Sequence, residues 1–192
     1  GVVLEGEVVH HHTPRMVGGG PAPGPPHGGD EPVVPARLCG RREAGQAGIA
    51  LSDPFCVDRH REGFRRLVAR PMDYVIGNVH EWQSLYQVTD LEQALQMARA
   101  DCGTVICTRS GEDAILIRGE ERVTAPVHRV VPVDATGAGD QFAAGLILGL
   151  ARGLPLAVAG RMGCIAAAEV ISHVGPRPES DLLAAFRAEG LI

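Results

Sequence analysis

The chain has 192 residues, 45% of them hydrophobic, which is enough apolar surface for one domain core. Its 18 Lys and Arg residues are scattered and the formal net charge is −5, which argues against a nucleic-acid partner. Five cysteines without a C-x-x-C pair argue against a disulfide framework and a zinc site, and they suit a reducing cytoplasm.

The longest apolar stretches lie at residues 142–151 and 154–171. The first is too short to cross a bilayer and the second contains Arg161 and Glu169, so we expect no membrane partner. The amino terminus lacks a basic segment followed by an apolar run, and we expect no secretory signal.

Residues 1–46 differ in texture from the rest of the chain. Between residues 16 and 35 the sequence is MVGGGPAPGPPHGGDEPVVP, which buries too little apolar surface to offset the entropy lost on folding. We therefore predict a disordered or aberrant leader, in which the run of three histidines at 10–12 could bind a metal only weakly. Our hypothesis is a shifted reading frame or a misplaced gene start. Sequencing of the locus would contradict it if the leader proved to be in frame and no upstream kinase half could be found. The folded unit is predicted to span residues 47–192.

From residue 47 onward, apolar runs alternate with amphipathic ones, which predicts an α/β fold with a mostly parallel sheet flanked by helices. Strands are expected at residues 48–52, 72–77, 104–108 and 130–133, with 114–118 completing a hairpin. A loop at 53–55 should precede a first helix at 58–69, capped by Asp58. Further helices are predicted at residues 79–86, 91–100, 138–152, 155–171 and 179–188.

The string DATGAGD at residues 134–140 follows the last predicted strand and begins an apolar helix. Open α/β sheets bind ligands at the carboxyl ends of their strands. Small residues here would let the amides of Gly137, Ala138 and Gly139 face an anion, and the helix dipole would add positive potential. The carboxylate of Asp140 is placed to accept the proton of an attacking hydroxyl in phosphoryl transfer.

The residues alone also allow a structural interpretation, in which Asp134 and Thr136 shape a turn and the glycines only begin a helix. The full string, however, resembles the D-T-x-G-A-G-D signature of PfkB-type, ribokinase-like carbohydrate and nucleoside kinases. Its single departure is Ala135, at a position that is often Thr. The resemblance implies ATP as donor, Mg²⁺, Asp140 as general base, residues 137–139 as an anion hole and Thr136 at the nucleotide site.

A second motif, Asn78-Val79-His80-Glu81, follows the predicted strand at 72–77. It is similar to the N-x-x-E motif of the same family, which implies that Asn78 and Glu81 order magnesium and phosphate, Glu81 acting through water. Mg²⁺ keeps several of its waters, so a carboxylate in its outer shell is chemically reasonable. Asn followed three residues later by Glu is equally a helix-capping arrangement.

A third segment, TRSGEDA at residues 108–114, lies between two predicted strands. It resembles the family's T-x-G-x-x-G nucleotide loop, which implies nucleotide contacts for Thr108, Ser110 and Gly111. Ser110 and Asp113 stand where that loop has glycines, which disfavours close approach of the backbone to a ligand. A simple hairpin connection explains the segment equally well.

The resemblance covers residues 47–190 and corresponds to the carboxyl-terminal half of such kinases. It implies a partial ribokinase-like fold without the amino-terminal half and its lid. Segments 52–61 and 173–178 resemble the adenosine-kinase-like branch, so a small-molecule sugar or nucleoside is the expected acceptor, adenosine first. Small residues Cys164, Ala166, Ala167 and Ala168 could line an adenine pocket or simply pack in the core.

Two alternative functions were weighed. The first is a truncated, non-catalytic kinase remnant with weak nucleotide binding. The second, a dinucleotide-dependent oxidoreductase, has less support because no predicted strand is followed by G-x-G-x-x-G. The sequence leaves oligomeric state open, with a homodimer as one arrangement.

Overall fold

The computed structural model describes residues 46–70 and 72–192. The predicted leader and its histidine run therefore lie outside the described residues, apart from Gln46. Five strands form one sheet in the order β1-β2-β3-β4-β5, with β1 to β3 parallel and β4 and β5 antiparallel. Their bounds are Gly48–Ala50, Tyr74–Asn78, Thr104–Arg109, Glu112–Arg118 and Glu121–Ala125. The predicted α/β class is confirmed, and the sheet in the described chain is mixed.

Seven helices accompany this sheet in the described part of the chain. The helices α1 to α4 precede the hairpin and α5 to α7 follow it. Their bounds are Pro54–Arg59, Arg61–Val68, Val79–Tyr86, Leu91–Asp101, Ala138–Ala151, Leu156–Ile171 and Leu182–Ala188. No helix in residues 46–70 and 72–192 has the length and apolarity that a bilayer crossing requires.

Side chains alternate between the two faces of the sheet, as the two-residue period of a strand requires. On one face Val75, Val105 and Ile117 pack with α1 to α4 around the buried Trp82. On the other face Ile76, Ile106 and Leu116 are among the residues that pack against α5 and α6. The result is a three-layer α/β/α arrangement. A third cluster joins α6 to α7 through Phe186.

The helices α5 and α6 are in close backbone contact. A Cβ added at Gly145 would lie 2.5 Å from Met162 O, and one at Gly149 would lie 2.7 Å from Ala159 Cα. Only glycine fits at such distances. Packing of these two glycines is therefore the reason for their spacing of four on one helix.

Three sequence predictions about secondary structure were wrong. The helix predicted at 58–69 is two helices that meet at His60, and the first begins earlier because Asp53 Oδ1 accepts a hydrogen bond from Phe55 N at 2.8 Å. Asp58 is not a cap and instead accepts from Ser84 Oγ at 2.6 Å. A strand, β5, forms where none was predicted, as a short hairpin continuation of β4.

The third error concerns residues 126–133, which we call the strap. Residues 130–133 were predicted to be a strand, but the strap has no strand partner among the described residues. Val133 N instead donates to Ile171 O at 2.7 Å, at the end of α6. Val131 is 83% exposed and Val133 60% exposed, so the β-branched run is not part of the core.

Candidate active site

The DATGAGD string forms a tight turn at the start of α5. Asp134 Oδ1 accepts from Thr136 N at 2.9 Å, and Asp134 Oδ2 accepts from Gly175 N at 3.0 Å. A hydrogen bond from the Thr136 side chain is the largest cause of a lowered pKa of Asp134, and the two amide bonds lower that pKa further. Asp134 and Thr136 therefore shape the turn, as the structural interpretation proposed, and neither lines the neighbouring cleft.

The helix α5 begins without a side-chain cap. Its N-cap is Gly137, at φ +84°, which is a left-handed conformation that suits glycine. The Ala138 amide donates to Ala135 O at 3.2 Å, a long bond that closes the turn. In the described part of the chain no acceptor is seen for the amides of Gly137 and Gly139. Two of the three predicted amides are thus available to an anion at the positive end of a helix dipole.

Asp140 lies in the first turn of α5, exposed and on the wall of the cleft. A Cβ built on the preceding Gly139 meets nothing within 4 Å, so the neighbouring stretch of the wall is open as well. A hydroxyl group can therefore approach Asp140 from the cleft without any movement of the backbone.

Asn78 and Glu81 form a complete capping box at the start of α3. Asn78 Oδ1 accepts from Glu81 N at 3.0 Å, while the two Glu81 oxygens accept from Asn78 N at 2.7 Å and from Asn78 Nδ2 at 2.8 Å. Burial raises the pKa of Glu81, the Asn78 backbone amide opposes that rise, and the charge of Asp53 adds to it. The capping interpretation is confirmed, and Glu81, although only 5% exposed, also reaches the cleft wall.

The segment at 108–114 is a hairpin turn between β3 and β4, as one of the two interpretations held. Thr108 pairs with Asn78 across the parallel strands, so the second and third motifs are neighbours. Ser110 has φ +54°, the left-handed conformation that the glycine of the resembling loop would adopt without strain. Gly111 faces open space.

One cleft, of about 810 Å³, brings these motifs together. Asn78 and Glu81, the hairpin turn at 108–111, and Ala138 to Asp140 all contribute to its wall. Gly137 and Thr136, from the same turn, are not among the residues that form the wall. A separate depression of about 540 Å³, between α4 and the β4–β5 hairpin, is lined mainly by charged side chains and lies away from all three motifs.

Residues that the sequence did not single out also line the cleft. The strap contributes Val127, His128 and Arg129 among others. Arg161 of α6 holds it in place, because its guanidinium donates to Pro126 O and contacts His128 Nδ1, both at 3.0 Å. Two adjacent basic residues, His128 and Arg129, are the signal in the sequence, and they lie directly before the run that was predicted to be a strand.

Three small residues of α6 also line the cleft. Cys164, Ala167 and Ala168 line the cleft, whereas Ala166 is fully buried with Met162 and Phe186. Burial raises the pKa of the Cys164 thiol to about 11, although the charge of Arg161 opposes the rise. The thiol is therefore neutral at physiological pH and presents an apolar surface. The lining of the cleft thus combines small apolar residues of α6 with the free amide of Gly139 and the carboxylate of Asp140.

The sequence of this chain is similar to those of known carbohydrate kinases. Residues 41–182 match the family described as pfkB family carbohydrate kinase. An inositol 3-kinase of Arabidopsis thaliana is 30% identical over 143 residues, which are 72% of this chain and 37% of that protein.

Two crystal structures are similar to most of the folded unit. A probable sugar kinase of Rhizobium etli has 42% identity and a TM-score of 0.74, covering 76% of this chain and 44% of its own. The adenosine kinase of Sinorhizobium meliloti has 38% identity and a TM-score of 0.72, covering 74% of this chain and 44% of its own. This chain therefore spans less than half the length of these relatives. By the match over residues 41–182, it belongs to the pfkB family of carbohydrate kinases.

Proposed function

We propose that this chain carries the phosphoryl-transfer part of an ATP-dependent kinase that acts on a hydroxyl of a small sugar or nucleoside. The observation that carries the proposal is the single cleft into which Asp140, the Gly139 amide, Glu81 and the hairpin turn converge. These residues come from three separate segments of the sequence. Convergence of that kind is expected of a binding site and is not required by helix capping or turn formation alone.

Each group has a defined part in the reaction. The acceptor hydroxyl transfers its proton to Asp140 as its oxygen forms a bond to the γ-phosphorus, and the bond to the bridging oxygen of ADP breaks. Charge that builds on the transferred phosphoryl group is stabilised by the Gly137 and Gly139 amides at the α5 amino terminus. The apolar wall at Cys164 and Ala167 suits a flat base.

A magnesium ion fits this site only as part of a complex with nucleotide phosphates. Among residues 46–70 and 72–192, no cluster of three His, Cys, Asp or Glu residues could hold a metal by itself. Both oxygens of Glu81 already accept hydrogen bonds from Asn78, and each retains a lone pair that can accept from a water of the ion. Mg²⁺ would there supply charge neutralisation for the phosphates, with Glu81 orienting one of its waters.

The acceptor class is proposed from the relatives, which include an adenosine kinase, a probable sugar kinase and an inositol 3-kinase. The test is ATP turnover by the purified chain with adenosine, ribose, fructose and myo-inositol, each compared with D140N. We expect phosphorylated product with at least one acceptor, and a loss of roughly a hundredfold or more in kcat for D140N. Equal turnover by both proteins would contradict the assignment of Asp140.

The alternative, a non-catalytic remnant that binds nucleotide, is favoured by one observation, namely that the chain spans 44% of each similar kinase structure. Equilibrium binding of ATP measured beside turnover separates the two. Saturable ATP binding that requires Gly139, without product from any acceptor, would support the remnant.

A further inference from the structure

The loop at residues 172–181, between α6 and α7, packs against the DATGAGD turn. Besides the bond from Gly175 N to Asp134, Gln141 Nε2 donates to Pro176 O at 3.4 Å. A Cβ added to Gly137 would lie 2.7 Å from Pro176 Cβ, so the two segments touch. The position of the two free amides therefore depends on where this loop sits.

Glu169, in the last turn of α6, accepts hydrogen bonds from the backbone of the same loop. Its Oε1 accepts from Glu179 N and from Ser180 N, both at 2.8 Å. Its other oxygen, Oε2, is buried without a hydrogen-bond partner in the described residues, and so is Nε2 of His173. These two unpartnered atoms lie 3.5 Å apart, with their side chains 13% and 15% exposed.

In the described part of the chain, the recorded contacts of the His173 ring are all to acceptors or to negatively charged groups. Glu169 lies on one side of the ring, and on the other side Glu179 Oε1 is 3.7 Å and Val174 O is 3.4 Å from Nδ1. The carboxylate of Asp134, in the turn, is within electrostatic range. Both ring nitrogens thus face oxygen atoms, and only the doubly protonated imidazolium can donate to both sides at once.

We propose that Glu169 and His173 are positioning residues, whose ion pair holds the 172–181 loop against the DATGAGD turn and so fixes the Gly137 and Gly139 amides. The inference rests on the proposed function, because those amides are its phosphoryl-binding groups. Neither Glu169 nor His173 touches the cleft wall, and their effect on the reaction passes through Gly175 and Pro176.

The direction of the pH dependence follows from the charges. Partial burial lowers the pKa of His173, but the Val174 carbonyl and the two glutamates outweigh this and raise it above its usual 6.5. The imidazolium, and with it the held loop, is present below that raised pKa. The imidazolium is lost as pH rises through the raised pKa of His173. Glu169 stays ionised throughout: its burial would raise its pKa, but the Ser180 and Glu179 amides lower it by more.

The first test is the pH profile of kcat from about pH 6 upward, a range that spans ordinary histidine titration. Wild-type kcat should fall at alkaline pH. H173Q, which cannot carry charge, should show a kcat roughly threefold to tenfold lower at pH 6 and no such fall, because a displaced binding group loses transition-state contacts. H60Q, an exposed histidine between α1 and α2, is the matched control and should keep the wild-type profile.

E169Q sharpens the test, since its side-chain oxygen can still accept from the Glu179 and Ser180 amides while the charge is removed. The alkaline fall in kcat should move to lower pH in E169Q. An unchanged profile in both H173Q and E169Q, with folding confirmed by circular dichroism, would overturn the inference.

A second readout does not need turnover. In amide NMR spectra, the Gly137 and Gly139 signals should titrate with the His173 ring in the wild type and lose that titration in H173Q. Independent titration of the ring and the glycines overturns the inference even if the chain is an active kinase. Coupled titration in a chain without turnover would support the positioning contact and count against the proposed function alone.

Discussion

Two helices of this protein begin in opposite ways beside the same cleft. At the start of α3, Asn78 and Glu81 satisfy each other and the helix amides with three hydrogen bonds of 2.7 to 3.0 Å. At the start of α5, the N-cap Gly137 offers no side chain and the Asp140 carboxylate is exposed. In sequence the two motifs look alike, since each places an acidic residue three positions after a candidate cap. In the structure they differ in their caps, because α3 has a complete capping box and α5 has no side-chain cap.

The two helix starts differ in whether their backbone amides already have acceptors. Free amides at a helix terminus are normally satisfied by side chains or water, and a terminus left open next to a cleft can serve a ligand instead. We therefore propose that the α3 terminus serves chiefly stability and that the α5 terminus serves binding. The variants below test that division.

The largest effect is expected from removing each carboxylate charge in turn. D140N should lose roughly a hundredfold or more in kcat with little change in the free energy of unfolding, because Asp140 is exposed. E81Q should lose about 1 to 3 kcal/mol of stability, since its amide group would face an Asn78 donor, and should need more Mg²⁺ for half-maximal rate. Turnover and urea unfolding of both variants measure this; similar stability losses in the two would break the division.

The next effect separates two glycines of the same turn. G137A should destabilise the protein by about 1 to 2 kcal/mol or more, because alanine is strained at φ +84° and its Cβ would meet Pro176. G139A is its matched control, since a Cβ there meets nothing within 4 Å. G139A should unfold like the wild type but bind ATP more weakly, as its methyl group enters the cleft. Thermal unfolding and ATP titration check both, and equal ATP affinity in G139A would argue against an anion hole.

The smallest effect concerns the β3–β4 hairpin, where a side chain occupies a left-handed position. S110G should stabilise the protein by up to about 0.5 kcal/mol, because it relieves the backbone strain at φ +54°. The gain is small, since glycine also raises the entropy of the unfolded chain, which offsets part of it. S110A keeps the Cβ and should show no gain. Urea unfolding midpoints decide it; a destabilised S110G would mean that the serine hydroxyl has a structural role.

Local motifs could be predicted from the sequence and the connections between them could not. The capping box, the hairpin turn and the start of α5 each depend on residues within a few positions of one another, so their patterns are visible in the chain. The strap misled because its valines indicate a strand, whereas Val133 N is bonded to Ile171 O, a contact of tertiary origin. The β5 strand was missed because only Val123 and Ala125 face the core in its five residues.

The candidate site shows the same limit. The sequence identified Asp140, Glu81 and Ser110 separately, but it did not show the pairing of Asn78 with Thr108 that brings two of these motifs to one edge of the sheet. Nor did it show the loop at 172–181 leaning on Gly137, because that contact joins residues about forty positions apart. Burial and distance decided those relationships.

The close seating of α5 on α6 has a mechanical consequence. The turn sits at the beginning of α5, while the end of α6 supplies both the Ile171 carbonyl that holds the strap and the loop that holds the turn. Backbone meets backbone at Gly145 and Met162, so sliding of one helix along the other would force these atoms to clash. A displacement of the end of α6 would therefore reach the start of α5 and the strap together, and with them Asp140 and the Gly139 amide.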